Sequence, residues 1–263
     1  MQLFRRISQI VDQGGRVNTV TLIGAPAAHA AAVGQMMALL PDGTADGCLI
    51  DEKFTAAVVE RIKTGAFGAP TVFAVDYGGD FTLFWDCWAG EANAVVFGGG
   101  HISVALADIL RHVGFRVSVI DDRPEFAGKT RFPGADKVIC KDFAAAIADG
   151  DVAVDDQTAV IIVTRGHRYD LDCLRGTIGS GAKYIGMIGS RSRVAGILSM
   201  LAEEGFSPDH LGRLRAPIGL DIGATTPAEI AVSIVAEIIA VFRGGSLRPL
   251  KLAAGEGQEW TKC

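Results

Sequence analysis

The chain has 263 residues, 49% hydrophobic and 21% charged, the composition of a folded globular protein with a large core and room for two domains. A net charge of −5 supplies no basic stripe for phosphate neutralisation and excludes a general nucleic-acid binder. The longest apolar segment, IAVSIVAEIIAVF, is too short to span a bilayer and carries Glu237, which argues against a membrane span.

From the start, MQLFRRISQIVDQGG places Leu3, Ile7, Ile10 and Val11 at helical spacing and predicts an amphipathic surface helix. Strand-like runs follow at NTVTLIG, PTVFAVDYGG and FTLFW. Between them DEKFTAAVVERIKTG predicts a helix with Phe54, Val58 and Ile62 on one stripe and Gly65 at its end. Residues 1–90 thus read as a small α+β domain with antiparallel pairing.

The rhythm changes near Gly90. NAVVFG is a continuous apolar run, as in a strand buried on both faces. HISVALADILRHVG follows as a helix, with Ile102, Leu106, Ile109 or Leu110, and Val113 at the apolar spacing and Gly114 as its stop. FRVSVIDD, KVIC, TAVIIVTRG and AKYIGMIGS are further strands, with helical segments such as RSRVAGILSMLAEEG among them. Strand alternating with helix predicts that residues 91–263 form a Rossmann-like parallel sheet with helices on both faces. The last helix is the best marked. Thr226 caps it, Pro227 takes its first position, Glu229 completes a capping box, and Gly244 and Gly245 end it.

Candidate chemistry gathers at the carboxyl ends of these strands. Gly98, Gly99 and Gly100 form a turn at the start of the helix that His101 opens. A dinucleotide turn uses glycines for the tight bend, for pyrophosphate approach and for helix packing; Ser103 stands at the third of these places. The helix start favours an anion. Asp121 or Asp122, some twenty residues on, is placed to accept bonds from a ribose hydroxyl, beside Arg123. TRGHRYD brings Thr164, Arg165, Gly166, His167 and Arg168 to the next loop, and IGSRSR brings Ser190, Arg191 and Arg193. Hydroxyl, guanidinium and backbone N–H groups there suit phosphate recognition. No Tyr-x-x-x-Lys pair, G-x-S-x-G elbow, H-E-x-x-H or metal cluster is present, so no catalytic or metal-binding residue is assigned. The cysteines, Cys48, Cys87, Cys140, Cys173 and Cys263, lack C-x-x-C spacing and predict reduced thiols in a cytoplasmic protein.

Six segments, VVFGGGHIS, VIDDRPEFA, RFPGAD, VTRGHRYD, YIGMIGSRSR and above all APIGLDIGATTPAEIAVSIVAEIIA, resemble the XdhC/CoxI family of accessory proteins for molybdenum hydroxylases. The resemblance runs in order across residues 94–243. More weakly, GTADGCLIDE and LFWDCWAGE are similar to the family's two amino-terminal cysteine segments, aligning Cys48 and Cys87 with its cysteines as thiol contacts; Trp88 and Ala89 replace a Gly-Gly pair. The resemblance implies a self-associating cytoplasmic chaperone, a homodimer, that binds molybdenum cofactor, as molybdopterin or its dinucleotide form, and assists its sulfuration and insertion. It implies as partners a molybdenum hydroxylase apo-enzyme and a cysteine desulfurase or cofactor-synthesis enzyme. The alternative from the glycine turn is an NAD(P)-dependent oxidoreductase. A third reading is a scaffold that recruits partners and binds no small molecule.

Overall fold

A computed structural model describes residues 2–12, 15–65 and 70–249; Cys263 lies outside them. The chain divides into two units, residues 1–94 with 111–116, and residues 95–110 with 117–263.

In the first unit, helix α1 (Gln2–Asp12) is followed by β1 (Arg16–Gly24), β2 (Met36–Leu39), β3 (Ala45–Asp46), α2 (Glu52–Thr64), β4 (Thr71–Asp76) and β5 (Asp80–Ala89). The strands form one antiparallel sheet in the order β3-β2-β1-β5-β4. The side chains of β1 alternate between its two faces, as a pleated strand requires. Val20 and Leu22 pack with Phe54, Val58 and Ile62 of α2, the stripe expected from the sequence. Val17 packs instead with Ile7 of α1 and with Ala38 and Leu40. Asp51 caps α2 by accepting from the Phe54 N–H at 2.7 Å. Strands β2 and β3 have no counterpart in the sequence reading, because four and two residues are too few to show a period.

The second unit holds β6 (Ala92–Phe97), α3 (His101–His112) and β7 (Phe115–Asp121), except for residues 92–94 and 111–116 at their ends, and β8 (Lys137–Cys140), α4 (Phe143–Ala148), β9 (Thr158–Ile162), α5 (His167–Thr177), β10 (Tyr184–Met187), α6 (Arg191–Glu203), α7 (Pro208–Leu211), β11 (Leu214–Arg215) and α8 (Pro227–Arg243). Its six strands lie side by side as β8-β7-β6-β9-β10-β11. Numbered by sequence within the sheet, this is 3-2-1-4-5-6, the doubly wound order whose ligand crevice opens where the direction of winding reverses. Here that is between β6 and β9. Val95, Phe97, Ile162 and Met187 pack with Phe143, Leu174, Val194 and Ile197 of α4, α5 and α6. Ala94 and Val96, equally buried, alternate to the other face.

Helix α3 buries Leu106 and Leu110 of the expected stripe, with Ile102 half-buried. Ser103, Leu106, Ala107 and Leu110 are its buried residues, whereas Val113 lies beyond its end and is exposed. The serine at the third glycine place lies on this inner face, its buried hydroxyl donating to the Gly98 carbonyl at 2.5 Å.

Helix α8 is anchored by its inner face. Glu237, 7% exposed, accepts from the Tyr184 hydroxyl at 2.6 Å and the Gly219 N–H at 3.0 Å. Burial, then this bond, pushes the Tyr184 pKa above its usual range. Ser233 donates to the Leu220 carbonyl at 2.5 Å, and a side chain on Gly219 (φ +94°) would collide with Ser233. The GLDIGATTPAEIA string therefore docks α8 on the sheet. At the start of α8 Thr226 and Glu229 form the capping box, and the Thr226 and Thr225 N–H groups hold the Glu229 pKa down at about 2. Thr226→Ala is expected to cost about 1 kcal/mol, read as a shift of the denaturation midpoint.

Among the described residues no helix is long and apolar enough to cross a membrane.

Candidate functional site

The loops after β6, β7, β9 and β10, adjacent in the sheet, bring the second unit's candidate residues to one edge. They are built from the backbone outward. The Gly98 N–H donates to the Ile120 carbonyl at 2.8 Å, and the Val163 N–H donates to the Phe97 carbonyl at 2.9 Å, so the turn hangs from both neighbouring strands.

The three glycines have different reasons to be glycine. Gly98 has φ +108°, and a Cβ there would lie 2.6 Å from the Val163 carbonyl oxygen. A Cβ on Gly99 would strike the Phe126 carbonyl oxygen. Apart from its own chain neighbours, no described residue lies within 4 Å of a Cβ at Gly100. Gly98 and Gly99 are explained by internal packing. Gly100 is not; it leaves an open cradle at the start of α3. His101 is exposed there, and its side chain makes no hydrogen bond among the described residues.

The two acids after β7 separate in role. Asp121, 1% exposed, accepts four bonds: from the Gly99 N–H at 2.8 Å, the Arg123 N–H at 3.0 Å, and Arg123 Nε and Nη2 at 2.9 and 3.0 Å. Burial alone would raise its pKa; the Arg123 and Gly99 donors outweigh that and hold it below the ordinary carboxylate range. With its lone pairs filled from within the chain, Asp121 braces the turn. Arg123 is committed too, since its guanidinium also lies 3.6 Å over the Phe126 ring.

Asp122 is half-buried and held bidentately by Arg165 at 2.7 and 2.8 Å. Arg165 also donates to the Tyr169 hydroxyl at 2.6 Å and stacks on its ring. This pair bridges the loops after β7 and β9, one on each side of β6. Thr164 is buried and donates to Asp170, which also takes an ion pair from Arg193. Burial raises the Asp170 pKa, against the opposing pull of Thr164 and Arg193. Gly166 caps α5 without a side chain, and His167 is exposed in its first turn. Ser190 caps α6 by accepting from the Arg193 N–H at 3.3 Å, and Arg191 points to solvent.

Phe126, Arg131, Tyr169 and Asp170 are not among the sequence candidates, whereas Arg193, which is, pairs with Asp170. Arg131 Nε donates to the Gly99 carbonyl at 2.9 Å, so the loop from 122 to 136 covers the back of the glycine turn. The signal of these four was their presence inside the VIDDRPEFA, RFPGAD and TRGHRYD segments.

The two candidate thiols lie in the first unit. Cys87 falls inside β5 rather than in a turn and is half-buried, accepting from Arg16 Nε at 2.7 Å. Cys48 is exposed, 3.5 Å from the Thr55 hydroxyl. No group of three or more His, Cys, Asp or Glu placed to hold a metal occurs among the described residues. A polar cavity of about 500 Å³ lies instead beside β11, lined by Lys183, Arg213, Arg215 and Glu237, on other loops than the glycine turn.

The doubly wound order, the glycine turn leading into a helix, and the polar loops flanking it define a Rossmann-type domain with a site suited to a phosphate-bearing ligand. The chain belongs to the XdhC family: the model of the XdhC Rossmann domain matches residues 94–238. It is 33% identical over 167 residues to the protein YqeB of Escherichia coli K12, covering 63% of this chain and 30% of that protein. It is 34% identical over 149 residues to a probable xanthine dehydrogenase component from Bacillus subtilis, covering 57% of this chain and 42% of that protein. The matches thus span less than half the length of these curated relatives. The fold is also similar to a crystal structure of a xanthine dehydrogenase from Bacillus halodurans, with TM-score 0.70 and 26% identity over 92% of this chain and 67% of that one.

Proposed function

We propose that this protein is an accessory factor that binds molybdenum cofactor and assists its maturation, sulfuration included, and its insertion into a xanthine dehydrogenase-type molybdenum hydroxylase. Family membership supports the accessory role. The observation that carries the binding role is Gly100, the one glycine of the turn that the protein's own packing leaves without a reason.

The residues present fit the phosphate-bearing end of such a cofactor. When bound, the group supplies a phosphate, and in its dinucleotide form a pyrophosphate and ribose, as handles; its molybdenum chemistry belongs to the target enzyme. The Gly100 cradle and the first turn of α3 would hold the phosphate, with His101 and Arg191 as exposed polar neighbours. Asp122 and Arg165, released from one another, would take a ribose hydroxyl and an anionic oxygen. The proposed partners are the hydroxylase apo-enzyme, a cysteine desulfurase or cofactor-synthesis enzyme, and a second copy of the chain.

Mixing the purified protein anaerobically with free molybdenum cofactor is expected to give a stoichiometric complex that survives gel filtration, detected by pterin fluorescence after oxidation. Parallel titrations with NADH and NADPH are expected to show weaker binding and no turnover. Arg123, bound to Asp121, offers no cation to a 2′-phosphate. Micromolar NADH binding with reduction of a carbonyl substrate, and no retention of the pterin, would reverse this reading.

A further inference from the structure

The polar cavity beside β11 is not used by the proposed cofactor site. Its volume of about 500 Å³ falls in the range that holds a small-molecule ligand. Lys183 and Arg213 stand just before β10 and β11, at the amino ends of these parallel strands, whereas the glycine turn follows the carboxyl end of β6. These two cations therefore lie toward the opposite edge of the sheet from the turn.

Three cations and one carboxylate line the cavity, and the fold explains them unequally. Arg213 donates to the Ser180 carbonyl at 2.5 Å and to the Ala182 carbonyl. Carbonyl acceptors fix the guanidinium in place but leave its full charge, and Arg213 makes no ion pair among the described residues. The Lys183 ammonium lies 5.0 Å from the centre of the Phe242 ring, a contact that orients a cation without neutralising it. The Arg215 side chain is 42% exposed and reaches Glu237 Oε1 only at 3.5 Å, beyond the ~2.7–3.2 Å of an ordinary N–H···O bond.

Glu237 is the buried member of the group. Its Oε2 is taken by the Tyr184 hydroxyl and the Gly219 N–H. Its Oε1 has only the long Arg215 contact, and a buried carboxylate oxygen gains from a further donor. The cavity thus sets fixed positive charge beside an under-occupied acceptor.

We propose that this cavity is a second binding site, for a small sugar phosphate: Arg213 and Arg215 take the phosphate, with Lys183 beside them, and Glu237 Oε1 accepts from a ligand hydroxyl. Guanidinium groups match phosphate oxygens, and several cations favour a dianionic phosphate over a carboxylate. Arg215 loses little in turning to the ligand, because its present partner is at the limit of bonding distance. The site shares no residue with the glycine turn and does not rest on the cofactor reading.

The test titrates the full-length chain with ribose-5-phosphate by calorimetry. Binding is expected with Kd below about 1 mM, weakening with added salt because the cations are solvent-exposed. Inorganic phosphate, which brings no sugar hydroxyl, should bind roughly tenfold more weakly. Arg215→Ala should weaken ribose-5-phosphate at least tenfold with little change in the thermal melt. Lys183→Ala should weaken it severalfold, and carries the test if the first variant unsettles α8. Gly100→Val, at the other edge, should leave it unchanged. Binding lost in Gly100→Val and kept in Arg215→Ala would assign the phosphate to the glycine turn and overturn the proposal. So would the absence of binding at millimolar ribose-5-phosphate, or equal affinity for inorganic phosphate, which would remove the role of Glu237.

Discussion

Gly100→Val is expected to leave thermal unfolding essentially unchanged while weakening binding of molybdenum cofactor at least tenfold, about 1.4 kcal/mol. Apart from its chain neighbours, a Cβ at this position meets no described residue within 4 Å and the residue is not in the left-handed region, so the folded protein has no steric reason to object. A phosphate seated on the start of α3 does, because the valine methyl groups would fill the space its oxygens need to reach the free N–H groups. Gly99→Ala is the internal control. One residue away, its methyl would strike the Phe126 carbonyl, and overpacking of this kind costs about 1–3 kcal/mol of stability. Calorimetry or fluorescence titration beside a thermal melt therefore separates the two glycines: one loses ligand and keeps stability, the other loses stability first. Equal affinity of Gly100→Val and wild type would remove the cradle from the site.

The sequence made the second unit's architecture readable because its signals are local. A buried strand, a glycine turn and an amphipathic helix each leave a pattern within a few residues, and the capping box of α8 stands in the structure as its residues foretell. What stayed hidden depends on contacts far apart in the chain. Asp121 and Asp122 are neighbours of one type, and only the three-dimensional fold separates them, aiming one at Gly99 and the other at Arg165, 22 and 43 residues away along the chain. The loop that covers the turn was equally unreadable, since Phe126 and Arg131 sit in a segment with neither helical nor strand period. Ser103 is the opposite case. Its position was legible, but its hydroxyl bond to Gly98 turns a small-residue substitution into a specific tie. The most distinctive string in the sequence, GLDIGATTPAEIA, also has a structural reason: Gly219 and Leu220 at its start bond Glu237 and Ser233 of α8, and Glu237 in turn accepts from Tyr184.

Asp121 ties the glycine turn to Arg123 through four hydrogen bonds. Asp121→Asn keeps the shape but replaces one acceptor oxygen with an amide donor, which then faces N–H groups of Gly99 and Arg123 that are themselves donors. It also strips the Arg123 guanidinium of its buried counter-charge, leaving Asp122 at 4.0 Å as a weaker one. Breaking a buried, hydrogen-bonded ion pair from one side costs about 3 kcal/mol, with Arg123's partial exposure holding it to the low end. In a chain of this size that is a fall in Tm of roughly 8 °C at neutral pH. The pH dependence identifies the cause. Because the folded-state pKa of Asp121 lies below its unfolded value, its contribution is complete above the ordinary carboxylate pKa of about 3.9 and is lost as pH falls through the lowered folded value. The melting temperatures of wild type and Asp121→Asn should therefore converge as the medium is acidified. A gap that stays constant into that acid range would mean that the asparagine acts through packing rather than charge. A gap below about 1 °C at neutral pH, far short of the shift a broken buried pair implies, would mean that the glycine turn is held by Ser103 and Arg131 without Asp121.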